Sequence, residues 1–426
     1  MKHYAIIGFG GAGYHALQAI RSVDPEGTID IFSEHPDPPY NPMLTTYYAS
    51  NRLRKEGLFP FGTLEEIAVS FHADIHPDTD VSALLPDEMS IRLSDGSTRQ
   101  FDRILIAAGA RSFTPPIEND CPEACISMRT LDDARAFRDI LDAGTARSAV
   151  VIGASMAGIK VVEALHNNGI PTTLIDMAPY IFPLAAYPDT AHRIEDHLRK
   201  KGVTLRFQAG LRAIRRGTNS TAVVECTDGS CFPADVVGLC IGTRARTELA
   251  SSAGLLVNRG IVVNEHMETS HPGIYAAGDC CEGGNLQSGG TQIIGLWANA
   301  AWQGHTAGLR MADAEGSFQG NILHNITHFF DMDFIGFGDN RLKGETVTFE
   351  NPEKGLWVEA VLREGMPVGI NILGRYRISG ILKNHFLNII EKRDPRIPEL
   401  QRGILLREGL SEDFIRTLEG GIHGNA

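Results

Sequence analysis

Positive charge is scarce in this chain of 426 residues: 39 lysines and arginines stand against 52 aspartates and glutamates, a formal net charge of −13. Phosphate backbones and anionic membrane surfaces are bound by clustered cations, so neither nucleic acid nor a membrane is expected as the main partner. The basic groups Arg52, Arg54, Lys55, Arg244 and Arg246 read first as solvated surface and second as a docking patch. No apolar run approaches the roughly 20 residues of a bilayer span. The chain enters a strand at once with Tyr4-Ala5-Ile6-Ile7, leaving no room for a signal peptide. Cysteine is sparse as well, seven in all, an odd number without the dense spacing of a secreted disulfide framework. Reduced thiols and a cytoplasmic location are therefore the expectation. There is no G-x-S-x-G elbow and no Ser-His-Asp arrangement, which argues against a hydrolase. Cys121-x-x-x-Cys125 lacks the second ligand pair of a zinc site. His324, His328, Asp331 and Asp333 read as packing and surface groups on an aromatic strand, so no metal is expected.

Glycine is present where it carries information. An apolar strand runs into Gly8-Phe9-Gly10-Gly11-Ala12-Gly13, and a helix with Ala16, Leu17 and Ile20 on one face follows. This is G-x-G-x-x-G between strand and helix, the pattern that lays a pyrophosphate against a helix amino terminus. The next strand, Thr28 to Phe32, ends near Glu34, where a carboxylate accepts hydrogen bonds from an adenosine ribose. The pattern then recurs. Ala149 to Ile152 leads into Gly153-Ala154-Ser155-Met156-Ala157-Gly158, a helix, and a strand closed by Asp176, with Gly153 and Gly158 at the same offset from Gly8 and Gly13. Two dinucleotide-type units imply a duplication. The second has an acid where the 2′-hydroxyl of NAD sits and no arginine directly after it, which favours NADH over NADPH.

Strands are also expected at Ala73–Ile75, at Ser90–Leu93 and Arg99–Phe101 around an Asp95-Gly96 hairpin, at Ile104–Ala110 and at Val236–Ile241. Residues 38–46 form a proline-rich ordered loop, and Thr114-Pro115-Pro116 reads as a linker. His271-Pro272-Gly273 is a turn before a short strand that stops at Gly278-Asp279. Alone, that is a capped turn as readily as a ligand site. A flexible loop with Gly283, Gly284, Gly289 and Gly290 and a helix from about Leu296 to Met311 come next. From about Asn321 the pattern becomes antiparallel strands, then helices near 380–392 and 397–419. The expected class is α/β, with two Rossmann-like domains and a carboxy-terminal α+β domain. The boundaries are 1–117 with 247–320, 118–246, and 321–426.

Taken together, residues 3–311 resemble the pyridine nucleotide-disulfide oxidoreductase superfamily, whose glutathione-reductase-like fold holds FAD and NAD(P)H on two such domains. The motifs matched in order are Gly8–Gly13, Ile104–Ala110, Gly153–Gly158, Val237–Arg244 and Ser270–Asp279. Nearer likenesses are ferredoxin and rubredoxin reductases, nitrite-reductase flavin domains and the NADH-oxidising subunit of phenylglyoxylate dehydrogenase; Leu296-Trp297-Ala298-Asn299-Ala300 followed by Gln303-Gly304 is similar to a segment of that group. The resemblance implies FAD contacts at Gly8, Gly10, Gly11, Gly13, Glu34, Pro42, Ala73, Ala108, Gly109, Gly278, Asp279, Leu296 and Trp297. It implies NADH contacts at Gly153, Ser155, Met156, Gly158, Lys160, Asp176 and Gly242. Trp297 borders the flavin, borders a docking surface, or is a core residue.

Three departures separate the chain from that pattern. Residues 38–50 hold none of the cysteines that disulfide reductases and related oxidases place there, so electrons are expected to leave from the flavin itself. Asn41-Pro42-Met43-Leu44-Thr45-Thr46 stands where related reductases read R-P-x-L-S-K. Lys160 occupies the place of a glutamate. The implied activity is hydride transfer from NADH to FAD and delivery to an acceptor protein or partner subunit, ferredoxin- or rubredoxin-like, with a homo-oligomer allowed and no acid–base side chain needed. Two alternatives stand beside it: an NADH oxidase using oxygen or a small molecule, and a redox-responsive flavin-containing binding module. Cys280-Cys281 reads as small-residue packing.

Overall fold

A computed structural model describes residues 1–421. The chain divides into two compact units, residues 1–113 with 243–321, and residues 114–242 with 322 onward.

The first unit is built on a parallel sheet whose strands lie in the order Ile274–Ala276, Arg103–Ile106, His3–Ile7, Thr28–Phe32 and Asp74–His76. Its inner strands are rich in apolar residues, as buried parallel sheets require; Tyr4, Ile6, Ile31, Leu105 and Ile274 are all buried. The crossover from the first strand to the second is the helix Gly11–Val23. Against it lies the helix Trp297–Met311. Their axes approach closely because Gly304 and Gly308 have no side chains: a Cβ at Gly304 would lie 2.1 Å from the Ala12 carbonyl oxygen, and one at Gly308 2.5 Å from that of Ala16. The hairpin expected around Asp95-Gly96 is present, within the three-stranded antiparallel sheet Val81–Leu85, Ser90–Leu93 and Thr98–Gln100.

The segment after Asp279 departs from expectation. Cys281–Gly284 is a strand, paired parallel with Ile261–Val262 and antiparallel with Thr291–Gln292. The buried Glu282 orders it, accepting hydrogen bonds from the Arg259 and Gly260 amides at 2.7 and 2.9 Å and from the Thr291 hydroxyl at 3.2 Å. Glycine content alone does not reveal this carboxylate anchor.

The second unit repeats the parallel arrangement with Cys125–Ile126, Val236–Leu239, Ala149–Ile152, Thr172–Ile175 and Thr204–Arg206 in that order. It also contains a five-stranded antiparallel sheet, His324–Phe329, Met332–Gly338, Met366–Leu373, Leu356–Arg363 and Glu345–Asn351. The single helix expected over 397–419 is two, Glu399–Glu408 and Glu412–Leu418. Gly409 breaks it, adopting φ +110°, a left-handed helix terminus that favours glycine. Among the described residues, no helix is long and apolar enough to cross a membrane.

Candidate dinucleotide-binding sites

The two glycine fingerprints fold identically for a steric reason. Gly8 and Gly153 take φ values of +100° and +103°. Each lies so close to a neighbouring strand that a Cβ would sit 2.3 Å from a carbonyl oxygen, that of Ala107 in one case and Cys240 in the other. Gly13 and Gly158 lie against the first glycine of their own motif, where a Cβ would come within 2.2 and 2.0 Å of its carbonyl oxygen. The surrounding hydrogen bonds repeat as well: the Gly8 amide donates to Phe32 and the Gly153 amide to Ile175, each at 2.8 Å.

The motifs differ at their middle position. Gly10 precedes the helix Gly11–Val23 without any side-chain cap, and a Cβ there would meet no atom within 4 Å. Helix amides without a side-chain cap are a feature that anions such as a diphosphate can satisfy. Ser155, in contrast, caps its own helix: its hydroxyl oxygen accepts from the Gly158 amide at 3.2 Å while the hydroxyl donates to the Cys240 carbonyl at 3.0 Å. Met156 is the first residue of that helix, Met156–Asn167.

Because the strands of the first unit run parallel, their carboxyl ends share one sheet edge, the place where open α/β sheets bind ligands. Gly8, Glu34, Ala108, Gly109, Gly278 and Asp279 all follow strand ends at this edge. The turn at Gly278 is held by Gln303, whose Oε1 accepts from the Gly278 amide at 2.8 Å. Leu296 and Trp297 open the neighbouring helix, and the Trp297 ring covers Gly11, where a Cβ would meet it at 3.1 Å. Trp297 also stacks on Phe61, with ring centroids 6.2 Å apart, and Phe61 stacks on Tyr14 at 3.8 Å. Two expected residues lie elsewhere. Ala73 precedes its strand, Asp74–His76, and is buried at the opposite, amino edge of the sheet. Pro42 opens the separate turn Pro42–Leu44, capped by Asn41.

In the second unit, Asp176 follows the strand Thr172–Ile175, and its carboxylate accepts from the Ala154 and Ala178 amides at 2.6 and 2.8 Å. Gly242, with φ +106°, follows the strand Val236–Leu239 and has nothing within 4 Å of its Cβ position. Lys160 is engaged by other groups of this unit. Its ammonium donates to Glu163 and to the His328 carbonyl, the latter at 2.8 Å.

Cys280 and Cys281 are buried, free thiols. Their sulfurs donate to carbonyls, Cys280 to Ile106 and Ala277, Cys281 to Gly278. Burial pushes the Cys280 thiol up to about 11 and raises Cys281 as well, so neither supplies a thiolate near neutral pH. Among the described residues, no group of three or more His, Cys, Asp or Glu side chains has the arrangement to hold a metal. The ion pair between Glu34 and Arg246 carries no local sequence signal, and the motif that contains Gln303 does not reveal that its side chain anchors Gly278.

A family model described as pyridine nucleotide-disulphide oxidoreductase matches residues 2–304. An NADH oxidase of Methanocaldococcus jannaschii is 28% identical over 338 residues, 78% of this chain and 75% of that protein. The epsilon subunit of the NADH-dependent phenylglyoxylate dehydrogenase of Aromatoleum evansii is 27% identical over 377 residues, 86% of each chain. Putidaredoxin reductase of Pseudomonas putida is 32% identical over 281 residues, 65% of this chain and 66% of that protein.

Proposed function

The chain belongs to the pyridine nucleotide-disulphide oxidoreductase family, and we propose that it is an FAD-dependent NADH:acceptor oxidoreductase serving a protein redox partner or partner subunit without a redox-active cysteine. When bound, FAD supplies an acceptor for hydride from NADH and a donor of electrons to the partner. The observation that carries the reading is the pair of glycine crossovers, one with an open, uncapped helix terminus and the other followed by an acid.

In this reading Gly10, Gly11 and the amino terminus of their helix hold the FAD diphosphate, while Gly8 and Gly13 let the backbone approach it. Glu34 receives the adenosine ribose, and Asp279, presented by the Gln303-anchored turn, receives the ribityl hydroxyls. Leu296 and Trp297 place a positive helix end beside the flavin, stabilising negative charge on its reduced form. The second fingerprint, with Asp176 and Gly242, holds NADH. Residues 1–117 and 247–320 thus serve FAD, 118–246 serve NADH, and 321–426 form the interface region. The chain's own part in hydride transfer is alignment and exclusion of water rather than acid–base chemistry.

Direct discharge to oxygen is a second reading, favoured by the NADH oxidase relative. The buried, protonated state of Cys280 and Cys281 and the lack of cysteine in residues 38–50 leave that route without thiol assistance. Anaerobic mixing with NADH tests the proposal. Bleaching of the flavin band within seconds is expected, and a flavin that stays oxidised overturns it. Admitting oxygen afterwards should give slow reoxidation; rapid turnover would establish the oxidase instead.

Cofactor preference follows from Asp176. Both of its oxygens are spoken for by backbone amides, which fixes the carboxylate where it accepts from a ribose diol and repels a 2′-phosphate. Asp176→Arg is expected to shift the ratio of kcat/KM for NADH over NADPH by at least about tenfold toward NADPH, roughly the value of one charge-assisted hydrogen bond. An unchanged ratio would show that specificity is set elsewhere.

A further inference from the structure

We propose that Arg246 is a positioning residue for the adenosine end of FAD, holding Glu34 in the orientation that receives the ribose; the inference rests on reading the first unit as the FAD site. Glu34 lies just past the end of the strand Thr28–Phe32, in a turn whose backbone is well anchored. The Ser33 amide donates to the His76 carbonyl at 3.0 Å, the Ser33 carbonyl accepts from Thr79 at 2.8 Å, and the Ser33 hydroxyl donates to the His35 carbonyl at 2.8 Å. The Glu34 side chain has no such backbone support. It is 45% exposed, and a free glutamate of this exposure samples many rotamers, a freedom that ligand binding must remove.

The Arg246 guanidinium supplies the missing restraint through its ion pair with Glu34. His35 is the other cationic candidate near this carboxylate, but its Nε2 stands 4.0 Å away, beyond hydrogen-bond reach. Arg246 is itself held, since its backbone amide donates to the Gly109 carbonyl at 2.9 Å. It directly follows the antiparallel ribbon formed by Thr243–Ala245 and Ala110–Ser112. One residue therefore connects two strand-end turns, one carrying Glu34 and the other Ala108-Gly109, both assigned to FAD. Its side chain fixes an acceptor and its main chain fixes the neighbouring turn.

An exposed ion pair contributes little to folding, so its consequence falls on ligand binding rather than on stability. The test titrates FAD into apoprotein, following quenching of flavin fluorescence, for the wild type, Arg246→Ala, Glu34→Ala and the double variant, with the melting temperature of each apoprotein measured alongside. Arg246→Ala is expected to weaken FAD binding about tenfold at an unchanged apoprotein melting temperature. Arg246→Lys should restore part of that loss. In the Glu34→Ala background, Arg246→Ala should add nothing, because the residue acts through Glu34. Wild-type affinity in Arg246→Ala overturns the proposal, and so does an undiminished further loss in the Glu34→Ala background. Apoprotein of wild-type sequence that fails to bind FAD overturns the FAD reading of the whole unit, an outcome separable from either of these.

Discussion

Asp279→Ala is expected to purify without flavin. The aspartate follows the buried strand Ile274–Ala276 at the sheet edge where the first fingerprint also lies, on a turn pinned by Gln303. A carboxylate that accepts hydrogen bonds from two ribityl hydroxyls contributes about 1.5–3 kcal/mol for each. Losing both weakens binding by at least about a hundredfold, enough to strip the cofactor during chromatography. The absorbance ratio at 450 and 280 nm of the purified variant reads the effect directly. The turn itself should survive, because Gly278 and Gln303 are untouched, so circular dichroism is expected to match the wild type. Full flavin occupancy in this variant would mean that the cofactor is held elsewhere.

The largest stability effect is expected in the second unit, at a buried ion pair. The Lys160 and Glu163 side chains are only 11% and 6% exposed. Glu163 also accepts from the Phe330 amide at 3.2 Å, while Lys160 also donates to the His328 carbonyl. Glu163→Ala strands the ammonium in a dry environment and leaves the Phe330 amide without this acceptor. Breaking one partner of such a pair costs about 3–5 kcal/mol. Urea unfolding followed by far-UV circular dichroism should show it as a lowered midpoint, and hydrogen exchange should show faster exchange at Phe330. Replacing both charges, Lys160→Met with Glu163→Leu, is expected to recover most of the loss. A cost below about 1 kcal/mol for Glu163→Ala would place the pair in solvent.

What could be read in advance and what could not divide along a physical line. Gly8, Gly13, Gly153 and Gly158 were legible because a Cβ at each would lie only 2.0 to 2.3 Å from a backbone oxygen, which admits no other residue, so local composition records the geometry. Asp176 and Asp279 were legible for a related reason, each standing at the end of a recognisable buried strand. The surroundings of Lys160 were not. Its motif position suggests either a cofactor contact or solvent, and the carbonyl it donates to belongs to His328, 168 residues away. Arg246 finds Glu34 across 212 residues, and nothing adjacent to either marks the pairing. The split of 397–419 was missed because a glycine inside a helical pattern weakens it only modestly; Gly409 instead terminates the helix. The order of the 281–292 segment depends on Glu282 reaching back to Arg259 and Gly260, a contact invisible in a glycine-rich string.

The contrast between Gly10 and Ser155 bears on how long each nucleotide stays. At the first fingerprint the helix end has no side chain of its own to satisfy it, so departure of an anion would return those amides to bulk water and sacrifice the dipole's counter-charge. At the second, Ser155 keeps the Gly158 amide bonded whether or not anything is docked. In the proposed reading, the first site thus loses more on emptying than the second does. Such a pair suits one ligand that remains as a permanent fixture and another that arrives, reacts and leaves once per cycle. Slow exchange at the first and fast exchange at the second would then be written into a single hydroxyl, present on one loop and absent from its twin.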